Sequence, residues 1–515
     1  MKGMRNKGQI TVFICLMVCV FLMLVLTVLQ GIRIREGEAK CSQSVSAACK
    51  SIKGDYQPDL FRRYHILALD KTYYGKGEGF LEQRMEDFLE YNLMPQKTPY
   101  HFQVQEVMLT KSQSLTEDSM EGFRQQIHEY MKLRTPQLVL ERVFQKTEPG
   151  QSLDRDTVQR KLENQAEQTV TLESKQTINV EKQEMSKESL LLPVEETGAG
   201  EEVFDPRGAM KLLLGMDILD LVIPDKVMAV SKETVDLTDV PSNGKGMTSK
   251  EFWTFQGDML SLPDLADAFR QETFWKDIGR LAPDGEITEG MENFLEGPLY
   301  AIDTFQNADS WDGENNRPLE FEAEYLLAGL ESDYKNLSKV ATELAWIRFI
   351  PNMCYACSDQ TMKEETLALA TVLLAPVGLA ELAEPVSYVI LGGWAYGESL
   401  VDVKALLHGK AVPVTKDRTT WNLSLRNLSD ISRIEEPGCE ESKGMTYEEY
   451  LFLMLALQNT EQLHYRMLDI MQLNIQEDIP EFRIENCVVE FEVQVTIQEN
   501  DRQWHFQNSE GYLSE

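Results

Sequence analysis

The chain has 515 residues, 43% of them apolar, and 84 acidic against 50 basic side chains give it a formal net charge of −34. Such a surface repels nucleic acid and anionic lipid headgroups, so nucleic acid is set aside as a partner, and the length is enough for a sizeable core. Eight cysteines are too sparse here for a disulfide scaffold.

The first element is the most specific. Ile10 to Leu29, ITVFICLMVCVFLMLVLTVL, contains only Thr11 and Thr27 as plainly polar residues. At about 1.5 Å rise per residue a helix of this length covers roughly the 30 Å of a bilayer's hydrocarbon core. A cleaved signal peptide has a shorter apolar core and a small-residue cleavage site. This run instead exits into Gln30-Gly-Ile-Arg-Ile-Arg35. The reading is an uncleaved single-pass anchor at 10–30 in the cell membrane, with the lipid bilayer as its first partner. Lys2, Arg5 and Lys7 precede the span, while Arg33, Arg35 and Lys40 follow it. The short basic tail, residues 1–9, is assigned to the cytoplasm and the bulk of the chain to the extracytoplasmic side.

Beyond the anchor, Arg33 to Lys53 lacks Pro, and Ile34, Ala39, Cys41, Val45, Ala48 and Ile52 form an apolar stripe. This predicts a helix continuing out of the membrane. Tyr64–Asp70 and Phe102–Leu109 are expected strands, with a helix over Phe80–Leu93 between them. Ser114-Leu-Thr-Glu117 fits a capping box opening a helix to about Leu133. Residues 31–146 therefore form an N-terminal α+β unit. Thr147 to Asp205 is rich in Glu, Gln, Lys, Ser and Thr, with Phe204 its one aromatic residue. Such a stretch buries too little apolar surface to offset its ordering entropy, and 147–205 is read as a polar acidic linker or insertion.

Residues 206–515 are expected to form a helix-rich α+β unit. Helices are predicted at 210–223, 265–281 and 291–305. A stronger one spans 320–356, where Tyr325, Leu326, Leu330, Leu337, Val340, Leu344 and Ile347 recur at helical steps and Pro351 interrupts the end. Residues 363–407 are the most apolar part outside the anchor. Pro376, Gly392 and Gly393 break their runs, which predicts a buried helical pair; whether 367–396 touches the membrane stays open. Strand-like pieces are expected around Trp421. Thr446-Tyr-Glu-Glu449 is a second capping box, opening a helix to about Asn474. Val489, Phe491, Val493, Val495 and Ile497 alternate with polar residues as in a half-buried strand. The fold class is α+β: an N-terminal transmembrane helix, then a large, mostly helical extracytoplasmic region with short strands.

Motifs that carry chemistry are tested and fail. Gly75-Lys-Gly-Glu-Gly79 lacks P-loop and dinucleotide spacing. Asp309–Pro318 puts Ala308 and Leu319 at the end positions of a calcium loop. His128-Glu129 is followed by Lys132 where a zincin needs histidine, and Gly397-Glu-Ser399-Leu-Val401 lacks the second glycine of a nucleophile elbow. Cys354-Tyr-Ala-Cys357 stands without further zinc ligands. Trp394 and Glu398 sit four apart on an apolar helix, which reads as packing around a satisfied carboxylate. No metal or cofactor is assigned, and catalytic residues stay unknown.

Several stretches together resemble an uncharacterised family of clostridial membrane proteins, domain of unknown function 5702. They are Gly8-Gln-Ile-Thr-Val-Phe13, Arg33 and Arg35, Tyr64–Asp70, Glu324-Tyr-Leu-Leu327, Trp394-Ala-Tyr-Gly-Glu398, Val401-Asp-Val403 and Met471-Gln-Leu-Asn474. The resemblance implies membrane attachment and an extracytoplasmic body, and it implies no activity. The N-terminus also looks like that of Tad-type pseudopilins, which makes Gly8 and Gln9 a candidate processing position. Phe13 would then stand fifth, where pilins usually carry glutamate, so an accessory or minor component fits better than a major pilin. The expected function is a membrane-anchored, non-enzymatic accessory or structural component of a Tad-like pilus or envelope assembly, with pilus or secretion-apparatus proteins as partners. The alternative is a membrane-tethered hydrolase of envelope polymers.

Overall fold

A computed structural model describes residues 5–94, 100–145, 217–223, 230–244, 289–311, 313, 317–428, 431 and 444–513. The polar insertion at 147–205 and the helix expected over 265–281 lie outside the described residues.

The chain opens with α1 (Arg5–Lys53), one unbroken helix of 49 residues. Its first half is apolar and bare: an 18-residue window of mean hydropathy 3.2 has none of its residues buried. This helix is long and apolar enough to cross a membrane. Its second half changes surroundings. Cys41, Val45, Ala48, Cys49 and Ile52 are buried together with Leu81, Met85 and Leu89 of α3 (Phe80–Leu93). From Cys41 on, the expected apolar stripe therefore faces a partner, although Ala39 is exposed, and the helix continues beyond the apolar run as predicted.

That partner is completed by an antiparallel sheet. The central strand is β3 (Cys487–Glu499). It pairs with β2 (Gln103–Ser114), with β4 (Arg502–Gly511), and at its start with β1 (Leu69–Asp70). Phe491, Val493, Val495 and Ile497 face the α1–α3 layer, as the alternation predicted. Arg33 pairs with Glu499 at the β3–β4 turn, and Lys53 with Glu510 near the far end of β4. The Tyr512 hydroxyl donates to the Lys53 carbonyl at 2.7 Å. The second half of α1 thus lies along the hairpin for nearly its full length.

The sheet joins strands from 31–146 with strands from 206–515. The two stretches separated by composition share one sheet, and a second, larger core also draws on both, from Leu60 and Phe123 to Met471 and Val489. This core holds α2 (Pro58–Tyr64), α4 (Glu121–Gln145), α5 (Ile218–Val222), α6 (Glu289–Thr304), α7 (Glu322–Ala328), α8 (Asp333–Ser358), α9 (Gln360–Leu374), α10 (Ala383–Leu407), α11 (Tyr447–Leu457) and α12 (Thr460–Gln476).

Several local expectations are corrected. Tyr64–Asp70 is a strand only at Leu69 and Asp70. Tyr64 ends α2, His65 takes a left-handed conformation with φ 57°, and the Gln126 side chain bonds both the N–H and the C=O of Leu67. That amide occupies the backbone groups a neighbouring strand would need. Glu117 does accept from the Ser114 N–H, but α4 starts only at Glu121 because residues 118–120 have positive φ. The helix over 320–356 breaks at Gly329, where φ is +66°, and Pro351 lies inside α8. The Thr446–Glu449 capping box forms with both bonds. The helix it opens stops at Leu457, and Asn459 caps a new one. Among the described residues no strand forms around Trp421, and Val412 bridges to Met445. The pair over 363–407 is buried only in part: Leu367, Val372, Leu379, Leu382, Tyr388 and Val389 are exposed.

Candidate functional site

The densest chemistry among the described residues is a buried ionic centre where α8, α10 and the loop after α10 meet. Arg348, Asp402, Glu398 and the Lys416 ammonium are almost fully enclosed, at 2% side-chain exposure or less. Two cations face two anions, so the centre is neutral. That balance is what makes burial of four charges tolerable.

Local structure explains the placement. Glu398 and Asp402 are four apart on α10, one above the other on the face turned to α8. Arg348 Nε donates to Asp402 Oδ2 at 3.0 Å, and Nη2 stands 3.0 Å from the same oxygen. Arg348 Nη1 donates to the Val414 carbonyl and to the Tyr450 hydroxyl, both at 3.0 Å. Asn352, one turn further along α8, donates from Nδ2 to Asp402 Oδ2 at 2.9 Å and to Ser399 Oγ at 3.1 Å. Lys416 Nζ pairs with Glu398 Oε1 and lies 2.5 Å from Asp402 Oδ1. Glu398 also accepts the backbone N–H groups of Asn422 at 3.0 Å and Leu423 at 2.7 Å. Burial pushes the Glu398 carboxyl above its ordinary range, and Lys416 pulls it back.

Two tryptophans meet at Leu423, whose N–H bonds Glu398. Trp394 and Trp421 cross edge to face at 5.9 Å, and both indole N–H groups donate to the Leu423 carbonyl. Gly397 makes the approach possible, since a Cβ there would lie 2.7 Å from Leu423 and 2.8 Å from Leu428. Gly397→Ala is therefore expected to push the 421–428 loop off α10 and cost about 1–3 kcal/mol, read as a lower urea midpoint.

A second group of acids lies at the start of α7. Glu322 is fully buried and accepts from Gln306 N, Arg317 Nη1 and Asn474 Nδ2, and Asn474 also donates to Tyr64 Oη. Glu324 Oε1 accepts from Ala308 N at 2.9 Å and Tyr447 Oη at 2.8 Å, while its buried Oε2 has no hydrogen-bond partner. Burial pushes the Glu324 carboxyl up to about 7, against the pull of those two donors. The folded chain therefore holds this proton more tightly than the unfolded chain does. The stability Glu324 contributes is fully present below pH 4.5 and is lost as pH rises to about 7. Glu324→Gln is expected to flatten this window by an amount on the order of 3 kcal/mol, measured as the pH dependence of the unfolding midpoint.

The residues singled out in the sequence scatter. Gly8 and Gln9 lie in the first turns of α1. Cys354 and Cys357 are free thiols on α8. His128 bonds Glu296, His408 bonds the Lys404 carbonyl, and His464 is buried with its pKa lowered to about 4 by burial. Among the described residues no three His, Cys, Asp or Glu side chains converge as metal ligands would. The Trp394–Glu398 pair and Asp402 do come together, and Glu398 is satisfied as expected. Arg348, Asn352 and Lys416 were not anticipated. The available signal was two carboxylates one turn apart inside the most apolar helix, which demand buried cations from elsewhere.

No curated protein and no solved structure matches the chain. One family model does match, and it covers residues 196–499, more than half of the chain. The span takes in Glu324–Leu327, Trp394–Glu398, Val401–Val403 and Met471–Asn474, together with the whole ionic centre, but not the N-terminal stretches Gly8–Phe13 and Tyr64–Asp70. Its description is a family of unknown function (DUF5702), and the chain belongs to that family.

Proposed function

We propose that the protein is a single-span, membrane-anchored scaffold whose body lies outside the cytoplasm, serving as a non-enzymatic accessory or structural component of a Tad-like pilus or envelope assembly. The observation that carries this reading is α1. One helix supplies both the apolar segment and a wall of the body's core, with no hinge between them. An ordinary tether needs no such continuity. Here any force on the membrane segment passes directly into the β3–β4 hairpin through Arg33, Lys53 and Tyr512. The basic residues Lys2, Arg5 and Lys7 support a cytoplasmic N-terminus.

Three measurements test the reading. Cys354 is exposed on the body, so a membrane-impermeant maleimide should label it in intact cells; labelling only after lysis reverses the orientation. N-terminal sequencing should give Gln9 if the chain is processed like a pseudopilin, and Met1 or Lys2 if the helix is a plain anchor. Deletion of the gene should impair pilus or envelope assembly. Normal assembly, combined with peptidoglycan turnover by residues 31–515, would favour the hydrolase instead.

A further inference from the structure

We propose that Lys416 and Asp402 condense into an intramolecular amide, an isopeptide cross-link that the folded chain forms by itself, with Glu398 carrying the protons. The proposal is independent of the assembly role above.

The geometry supplies each part that amide formation requires. Lys416 Nζ is the nucleophile and lies 2.5 Å from Asp402 Oδ1. Glu398 touches the same nitrogen and can take its protons. Asp402 Oδ2 is the oxygen on which negative charge develops. Arg348 Nε, Arg348 Nη2 and Asn352 Nδ2 all face it, at 3.0, 3.0 and 2.9 Å. Two preorganised donors, Arg348 Nε and Asn352 Nδ2, with the charge of Nη2 beside them, form an oxyanion hole on one carboxylate oxygen. The other oxygen, Oδ1, faces the amine and is the one that leaves. Glu398 differs: both its oxygens are held by the backbone N–H groups of Asn422 and Leu423, which suits a fixed proton carrier better than an electrophile.

The step balances. One proton of the Lys416 ammonium passes through Glu398 to Asp402 Oδ1. The freed Nζ lone pair attacks Asp402 Cγ and forms the C–N bond, while negative charge moves to Oδ2. Glu398 takes a second proton from the nitrogen and delivers it to Oδ1. The Cγ–Oδ1 bond breaks with its electron pair, water departs, and Oδ2 returns to a carbonyl. No oxidant, reductant or activating group is consumed. The centre also stays neutral, because one cation and one anion disappear together and Arg348 and Glu398 remain.

Burial favours this outcome. An amine and a carboxylate in water remain ionised, and the amide is the minor species. Almost fully enclosed, the same pair loses its hydration, so water no longer stabilises the ions over the amide. Fixed positioning also supplies a large effective concentration. Burial already raises the Glu398 carboxyl, as a group that must carry a proton transiently requires.

The test is mass spectrometry on the full-length protein in detergent. After denaturation and trypsin, the peptide ending at Lys404 should be found joined through Asp402 to the peptide spanning Lys416. Its mass should be about 18 Da, one water, below the sum of the two parts, with no cleavage after Lys416. Lys416→Arg should give only linear peptides, and Glu398→Gln should strongly reduce the linked fraction. Linear peptides cleaved after Lys416 in the unmutated protein would overturn the proposal without recourse to any variant, leaving the centre as paired ions. A link from Lys416 to Glu398 would overturn the assignment of roles.

Discussion

Replacing Arg348 with methionine is expected to destabilise the protein by about 3–5 kcal/mol, the range for removing one partner from a buried ion pair. Methionine keeps much of the volume and the flexible stem, so the loss is not chiefly a cavity. It comes from three acceptors left in the interior: Asp402 Oδ2 loses both guanidinium contacts, and the Val414 carbonyl and Tyr450 hydroxyl lose theirs. In the uncondensed centre, one cation would then face two carboxylates. Urea unfolding of the detergent-solubilised chain, followed by the fluorescence of nearby Trp394 and Trp421, measures the effect. Adding Asp402→Asn to Arg348→Met should recover part of the loss, because the remaining Lys416–Glu398 pair is again neutral. Strict additivity of the two substitutions would show that Arg348 and Asp402 do not act as a pair.

The second large effect is in α1. Val20→Arg with Leu24→Arg places two guanidinium groups on one face near the middle of the apolar run. On the insertion scale each arginine at a helix centre costs about 2.5–3.5 kcal/mol, and the two lost aliphatic side chains add to this, so the pair should cost roughly 6–8 kcal/mol. Both wild-type side chains are exposed, so the change removes no packing from the body. The expected result is loss of the carbonate-resistant membrane fraction while the soluble body keeps its unfolding midpoint. Retention in the membrane would show that the anchor reading of this helix is wrong.

Much of the fold was legible where one segment could report its own environment. The α3 helix and the β3 strand announced themselves by period, and the Thr446 cap by its local bonding pattern. Errors came where a distant side chain replaced a backbone partner or a single residue turned the chain. Gln126 holds Leu67 out of the sheet, and Gly329 divides what reads as one helix. Apolar periodicity does not see either event, because neither changes the hydrophobic pattern. The 363–407 pair formed but is covered only in part, for another reason: composition says that side chains are apolar and says nothing of how many neighbours cover them.

The candidate site was legible in part. Glu398 and Asp402 mark themselves, since carboxylates one turn apart in an apolar helix need compensation. Their partners do not. Arg348 lies 50 residues before Glu398 and Lys416 a short loop after Asp402, and either could serve a solvated surface equally well.

The sequence by itself determined the apolar helix, the net charge of −34 and the α+β class, because each follows from composition or from a repeat within one element. Only the tertiary structure decided that residues 31–146 and 206–515 share a sheet, that α1 is built into the body, and that four charges cancel around Asp402. Pairing between strands, burial of a helix face and neutralisation of a charge are all relations between segments far apart in the chain. They acquire an energy only when the fold brings their members within contact distance.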